Sequence, residues 1–213
     1  MRPFTIFHIN DLHGRDIALA QIASLITQLQ RTMPEVPSLL LDAGDSQSKD
    51  DRSLAELTRG AAMHRLLRLM GCQASVLGNK CIPQWGLDVV IDYAHYMPIL
   101  LSNLTLPNGK PIKGTQPTVL LPIANGLLGV IGITDDEAKF VDKYRLKRLP
   151  LIKTIRQYAS HLRQKGANAI VLLSHMGFLK DRMIAEDLQG EIDLIIGGHS
   201  HTALPVGQSI GDI

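Results

Sequence analysis

Five short stretches of the chain set histidine, aspartate or asparagine close to glycine or one another in ways that suit metal chemistry. They are Asp11-Leu12-His13, Gly44-Asp45, Gly78-Asn79, Ser174-His175 and Gly197-Gly198-His199-Ser200-His201. Imidazole and carboxylate together suit zinc, manganese or iron, whereas calcium takes oxygen ligands. In extended chain, residues i and i+2 point the same way. Asp11 is therefore expected to converge with His13, and His199 with His201. A carboxylate such as Asp45 can bridge two cations, and a cation pair can clamp both the attacking and the leaving oxygen of a phosphoryl displacement. Each stretch alone also has a plain structural reading: Gly-Asp and Asn79 as turn residues, His175 as a hydrogen-bonded core histidine. Their placement in the fold decides between the two.

That placement follows from hydrophobic patterning. Residues 4–9 alternate β-formers and read as a strand. Residues 38–41, 74–77, 99–102, 169–173 and 192–196 are short apolar strands, and 169–173 and 192–196 look buried on both faces. Residues 17–31, 53–70, 87–96 and 152–165 read as helices. The first places Ile22, Leu25, Ile26 and Leu29 on one face. Ser53 and Glu56 are spaced as a capping box, and Gly71 and Gly166 are plausible helix stops. Residues 118–123 and 127–134 flank Asn125-Gly126, a hairpin signal because both turn positions need positive φ. Strands alternating with helices make an α/β architecture, with antiparallel pairing added by the hairpin. Each of the five stretches then follows a strand, and open α/β sheets bind ligands at the carboxyl ends of their strands. His8, His64, His95 and His161 fall within predicted elements and read as structural or surface residues.

The 213 residues are 45% hydrophobic, enough for one domain with a substantial core. A net charge of +2, from 22 basic and 20 acidic side chains, gives no reason to expect a nucleic-acid or membrane partner. The basic group Lys143, Arg145, Lys147 and Arg148 reads as solvated surface. Cys72 and Cys81 form neither a disulfide framework nor a metal-binding spacing. The chain has no apolar run of about 18 residues and no signal pattern at its start. As given, it is expected to be cytoplasmic, with a mature secreted or periplasmic form left open.

The order Asp-x-His, Gly-Asp, Gly-Asn, Ser-His, Gly-His-x-His resembles that of the calcineurin-like metallophosphoesterases. The stretches Phe7-His8-Ile9-Asn10-Asp11-Leu12-His13-Gly14, Leu57-Thr58-Arg59-Gly60 and Ile196-Gly197-Gly198-His199-Ser200-His201 look like the 5′-nucleotidase branch. The resemblance covers essentially the whole chain, taken as one metallophosphoesterase domain over residues 1–213. It implies the metallophosphatase fold, an α/β four-layer sandwich of two mixed β-sheets flanked by helices. It also implies two divalent metal ions, zinc, manganese or iron. Asp11, His13, Asp45 and His201 would hold one, and Asp45, Asn79, His175 and His199 the other, with Asp45 bridging. The activity implied is hydrolysis of a small phosphate ester, such as a nucleotide, by a metal-activated hydroxide.

Two departures from the family pattern stand out. The family reads Gly-Asn-His-Glu, with that histidine paired to a nearby aspartate as acid or transition-state stabiliser. Here Lys80 stands at the histidine position, and Pro83 or Gln84 at the aspartate position. Asn79 and Lys80 are thus the catalytic candidates, Lys80 as a poor acid or as a point charge against phosphate. Second, twelve residues follow His201, where family members continue into further strands and a nucleotide-binding domain. That domain is expected to be absent, and the last strand's edge to be covered by residues 203–213, by a partner chain or by residues of a longer parent. The competing expectation is a catalytically weakened or inactive metal-binding or interaction domain derived from this family. A third is hydrolysis of a different ester by the same two metals.

Overall fold

The computed structural model describes residues 3–47 and 53–213, apart from the side chains of Ser53 and Cys81. Its strands are β1 (Thr5–Ile9), β2 (Ser38–Asp42), β3 (Cys72–Val76), β4 (Ile99–Leu100), β5 (Leu104–Thr105), β6 (Thr115–Gln116), β7 (Thr118–Ile123), β8 (Gly126–Thr134), β9 (Lys147–Arg148), β10 (Ala167–His175) and β11 (Leu194–Gly197). Its helices are α1 (Asp16–Thr32), α2 (Ser53–Leu57), α3 (Ala61–Leu69), α4 (Cys81–Trp85), α5 (Val89–Ala94), α6 (Lys139–Lys143), α7 (Leu151–Gln164) and α8 (Phe178–Asp187).

The strands form two main sheets, ordered β1-β2-β3-β4-β6 and β11-β10-β8-β7, with β5 and β9 paired apart. The expected mixing is confined to the second sheet. There β7 runs antiparallel to β8, while β8, β10 and β11 are parallel. The first sheet is parallel throughout, because its strands are joined by helical or looped crossovers rather than hairpins.

Strand alternation divides the apolar residues into three cores. Leu40 and Ile99 face an outer core with Leu19 and Ile26 of α1, Met63 and Leu67 of α3 and Tyr93 of α5. Leu39, Leu41, Ala74, Val76 and Leu100 face the second sheet, meeting Leu128, Val130, Val171, Leu173 and Ile196. Ile131, Ile133, Ile170 and Leu172 turn the other way, onto Ile155, Ala159 and Leu162 of α7 and Ile184 of α8. The result is the four-layer order helix, sheet, sheet, helix. Each fully buried leucine in these layers is worth about 1.5–3 kcal/mol relative to exposure.

Several local expectations shift. The buried stripe of α1 is Leu19 and Ile26 with a partly buried Ile22, while Leu25 and Leu29 are 54% and 39% exposed. Leu25 sits further round the helix wheel from the stripe, and Leu29 lies towards the helix end. The long helix expected over 53–70 is two helices, broken where Arg59 and Gly60 both take positive φ. The serine half of its capping box lies outside the described side chains. The hairpin turn is Ala124-Asn125, one residue earlier than expected, because Gly126 already pairs with Ile123. A side chain at Gly126 would strike Asn168, whose amide oxygen accepts the Leu127 N–H. Among the described residues no helix is long and apolar enough to cross a membrane. Lys143, Arg145, Lys147 and Arg148 lie at the surface segment around α6 and β9, where Lys147 and Arg148 are exposed.

β1 and β11 are both edge strands. Residues 203–213 add no strand to β11, although Ile213 packs against the outer core of the second sheet. The expected edge cover is therefore partial. A cavity of about 380 Å³ remains between β1, β11 and this segment, lined in part by Ile6, His8, Ile196, His201 and Leu204.

His64 is a buried core residue, stacked on Tyr93 at 4.3 Å between ring centroids, with neither ring nitrogen hydrogen-bonded. Burial lowers its pKa to about 3. The unfolded chain takes up a proton on this residue near pH 6.5, so its contribution to stability is present above that pH and is lost as pH falls towards 3. His64→Phe keeps the stack and removes the titration. In denaturant titrations, the parent should lose about 1.4 kcal/mol more per pH unit than this variant between roughly pH 6 and 4. Metal content should not change. Parallel pH profiles would contradict a neutral buried His64.

Candidate metal centre

The carboxyl ends of β1, β2, β3, β10 and β11 meet at one end of the sandwich. The backbone there is strained. Five of the seven non-glycine residues with positive φ among the described residues are Asp11, His13, Asp45, His199 and His201. Left-handed backbone at such residues is costly and clusters where function over-determines it. It also corrects the extended-chain argument. Asp11 and His13 do converge, but through left-handed turns. His199 and His201 diverge, towards His175 and towards His13.

Backbone hydrogen bonds lock these turns together. The N–H groups of Asp11, His13 and Gly14 donate to the carbonyls of Gly44, Asp45 and Ser46, so the loop after β1 lies along the loop after β2. Two glycines are sterically required. A Cβ at Gly78 would lie 2.1 Å from Asp45 Oδ1, and one at Gly44, where φ is +95°, would lie 2.7 Å from His175 Nδ1.

Asp11 is the most connected ligand candidate. Its Oδ2 accepts from Asn10 Nδ2 at 2.7 Å and from the His199 N–H at 2.8 Å. Its Oδ1 is left facing His201 Nε2 at 3.3 Å, His13 Nε2 at 3.7 Å and His175 Nε2 at 4.0 Å. His13 and His201 bring their Nε2 atoms to 3.3 Å of each other. Asp45 Oδ1 accepts the Lys80 N–H at 3.0 Å, while its Oδ2 lies 3.2 Å from His175 Nε2. His175 Nδ1 lies 2.6 Å from the Ala43 carbonyl, to which it must donate. That bond fixes the tautomer and turns Nε2 towards the carboxylates. Two groups are thus compact enough to hold a cation: Asp11, His13 and His201, and Asp11, Asp45 and His175.

Electrostatics couples the second group. Burial alone would push the Asp45 carboxyl up, but His175, the Lys80 N–H and His13 hold it below the ordinary carboxylate range. Burial would likewise push His175 down, but Asp45, then Asp11 and the Ala43 carbonyl, raise it. His199, beside this group, is lowered by burial and by His175.

The test of fit for divalent cations lies in the unpaired atoms. Asp11 Oδ1, Asp45 Oδ2, Asn79 Oδ1 and His175 Nε2 are all buried without a hydrogen-bond partner. Native folds rarely leave such atoms orphaned. Asp11, Asp45 and His175 lie together, Asn79 precedes the residue whose N–H binds Asp45, and all four are ligand types that fit bound cations. Asp11 rather than Asp45 is common to both compact groups, although Asp45 also feels the charge of His13. His199 stands outside both, with its ring 5.1 Å from that of His175. His201 is at the rim, its side chain 60% exposed. Lys80 reaches the site through its backbone, and its side chain is exposed. Gln84, which with Pro83 is one of the two residues expected at the position of the acid's partner, reaches out of α4 and donates to Glu56.

Sequence reasoning missed Asn10 and the Ala43 carbonyl, which orient ligands rather than provide them. It also missed Asp135, just past the end of β8, whose Oδ2 is 3.9 Å from His199 Nε2. The strand-end rule applied to the other strands would have found it.

Comparison with known proteins agrees with this architecture. The family model for calcineurin-like phosphoesterases matches residues 4–203. A 5′-nucleotidase from Mus musculus is 28% identical over 226 residues, covering 95% of this chain and 38% of its own length. The chain thus spans well under half the length of that relative. The calcineurin-like phosphoesterase YfkN from Bacillus subtilis superposes with a TM-score of 0.76 at 20% identity, covering 95% of this chain and 73% of its own. A 5′-nucleotidase precursor from Thermus thermophilus gives 0.71 at 22% identity, covering 94% and 43%. With this fold, and with its histidines and carboxylates gathered at the strand ends, the chain belongs to the calcineurin-like phosphoesterase family.

Proposed function

We propose that the chain hydrolyses phosphate monoesters of small molecules, nucleotides among them, using two divalent cations. The observation that carries this reading is the convergence of unpaired buried ligand atoms of Asp11, Asp45 and His175 at the strand ends. Asp11, His13, Asp45 and His201 would hold one cation, and Asp45, Asn79, His175 and His199 the other. When bound, such cations lower the pKa of water and neutralise charge on the phosphoryl group. The chain's own residues keep the ligands in place. Asn10 and the His199 N–H hold Asp11 so that Oδ1 faces inward, and the Ala43 carbonyl takes the Nδ1 proton of His175, which leaves Nε2 as the nitrogen turned to the site. Lys80, exposed beside Asn79, would screen the phosphate's charge as a compact ammonium with three donors. The matching relatives named as 5′-nucleotidases make a nucleotide the first substrate to try.

The second reading, a metal-binding domain with weak or no catalysis, rests on one observation. Lys80 and either Pro83 or Gln84 stand where the family's acid and its partner are expected, and Gln84 is engaged elsewhere.

Replacing Asp45 by Ala removes the anion shared between the cations. Metal analysis of Asp45→Ala should show both occupancies sharply reduced from two per chain. One retained metal would transfer the bridging role to Asp11, and two would refute the ligand assignment.

A positioned acid is worth roughly 10²–10⁴-fold, and matters most for a poor leaving group. The metal-loaded chain should therefore turn over nitrophenyl phosphate faster than a nucleoside monophosphate by a factor in that range. Lys80→Ala should raise KM for both esters while leaving kcat nearly unchanged. An unchanged KM would remove Lys80 from the site, and no turnover of either ester would favour the non-catalytic reading.

A further inference from the structure

We infer that Asp135 is a positioning residue that orients the ring of His199, so that Nδ1 is the nitrogen His199 offers to a metal. The inference rests on the metal reading above.

Asp135 is held in register with the site. The Asn103 side chain grips the end of β8 from both sides, accepting the Thr134 N–H at 3.1 Å and donating to the Thr134 carbonyl at 2.8 Å. The next N–H, that of Asp135, donates to the carbonyl of His175, itself a ligand candidate, at 3.1 Å. The carboxylate is then fixed on one side. Oδ1 accepts the Glu137 N–H at 3.2 Å and lies 3.4 Å from Lys180 Nζ of α8, which also faces Glu137 at 3.2 Å and Asp136 at 3.8 Å. Its second oxygen, Oδ2, is left pointing at His199 Nε2 at 3.9 Å, with the two side chains 13% and 29% exposed.

His199 is anchored independently. Its backbone N–H donates to Asp11, and its ring edge lies against Gly177, where a Cβ would come within 3.3 Å of Cδ2. Its ring thus has one nitrogen towards Asp135, and the other remains for a metal. The 3.9 Å separation exceeds a hydrogen bond of ~2.9 Å by about an ångström, which the two side chains must close when a metal binds. Carboxylates behind metal-bound histidines fix ring and tautomer in this way, and their loss typically weakens metal binding about 10–100-fold. Lys180 serves to hold Asp135 in place, its single positive charge shared among three carboxylates.

The test is titration of the metal-stripped full chain with Zn²⁺ by calorimetry, alongside the apo-protein Tm. The parent should bind two ions. Asp135→Asn keeps the acceptor for Glu137 but presents an N–H₂ that cannot accept from Nε2–H. It should weaken one of the two sites roughly 10–100-fold, leaving the other site and the apo Tm unchanged. Asp135→Glu should restore most of the loss, and Lys180→Met should weaken the same site by less. Long-range ¹H–¹⁵N spectra of the zinc-loaded parent should show the proton of His199 on Nε2. Equal binding by the parent and Asp135→Asn, equal weakening of both sites, or a proton on Nδ1 would overturn the inference. A parent that binds fewer than two ions would instead sink the metal reading on which it stands.

Discussion

At the carboxyl ends of their strands the two sheets are joined through Asp11 as well as through His175. Asp11 follows β1 of the first sheet, yet its Oδ2 accepts the N–H of His199, which follows β11 of the second. Its other oxygen faces histidines from both sheets, His13 on one side and His175 and His201 on the other. A buried carboxylate is costly unless its charge is paired or hydrogen-bonded. Satisfying Asp11 therefore requires the loops after β1 and β11 to approach, and that approach brings the remaining ligand candidates within reach of one another.

Beneath this lies a second buried carboxylate, Asp42 at the end of β2. It accepts hydroxyl hydrogen bonds from Ser46 and Ser75, each at 2.6 Å, and a weaker bond from the Gly44 N–H at 3.3 Å. Burial pushes its pKa up to about 6 against the pull of those donors. The arrangement shapes the turn carrying Asp45 and ties it to β3, which leads to Asn79. Asp181 plays a similar part under the second sheet, where it accepts from Ser174 next to His175. The ligand candidates thus stand on polar braces that are themselves buried, which explains how strained left-handed residues persist at this end.

Much of this is legible in the sequence. Strand-end placement finds every side chain at the site that contributes an unpaired inward-facing atom, because apolar strands and glycine turns are strong local signals. The four-layer order is legible as far as strands alternate with helices. What is not legible depends on three-dimensional closure. The split of 53–70 into two helices needs the positive φ of Arg59 as well as Gly60. The convergence of Asp11 with His13 and the divergence of His199 from His201 come from left-handed turns that i+2 spacing cannot reveal. Asn10 acts on its own neighbour Asp11, and Ala43 acts across the sheets through a backbone oxygen that no sequence pattern marks. The exposed placement of Lys80 is likewise set by the helix that follows it, not by its identity.

The central claim is that these residues hold two cations between the sheets. The most direct test is a crystal structure of the metal-loaded chain, with anomalous scattering recorded at the absorption edge of the added metal. Two peaks per chain are expected at the strand ends, one touched by His13 and His201, the other by His175 and Asn79, with a carboxylate between them. A single peak, no peak there, or peaks ligated by other residues would contradict it.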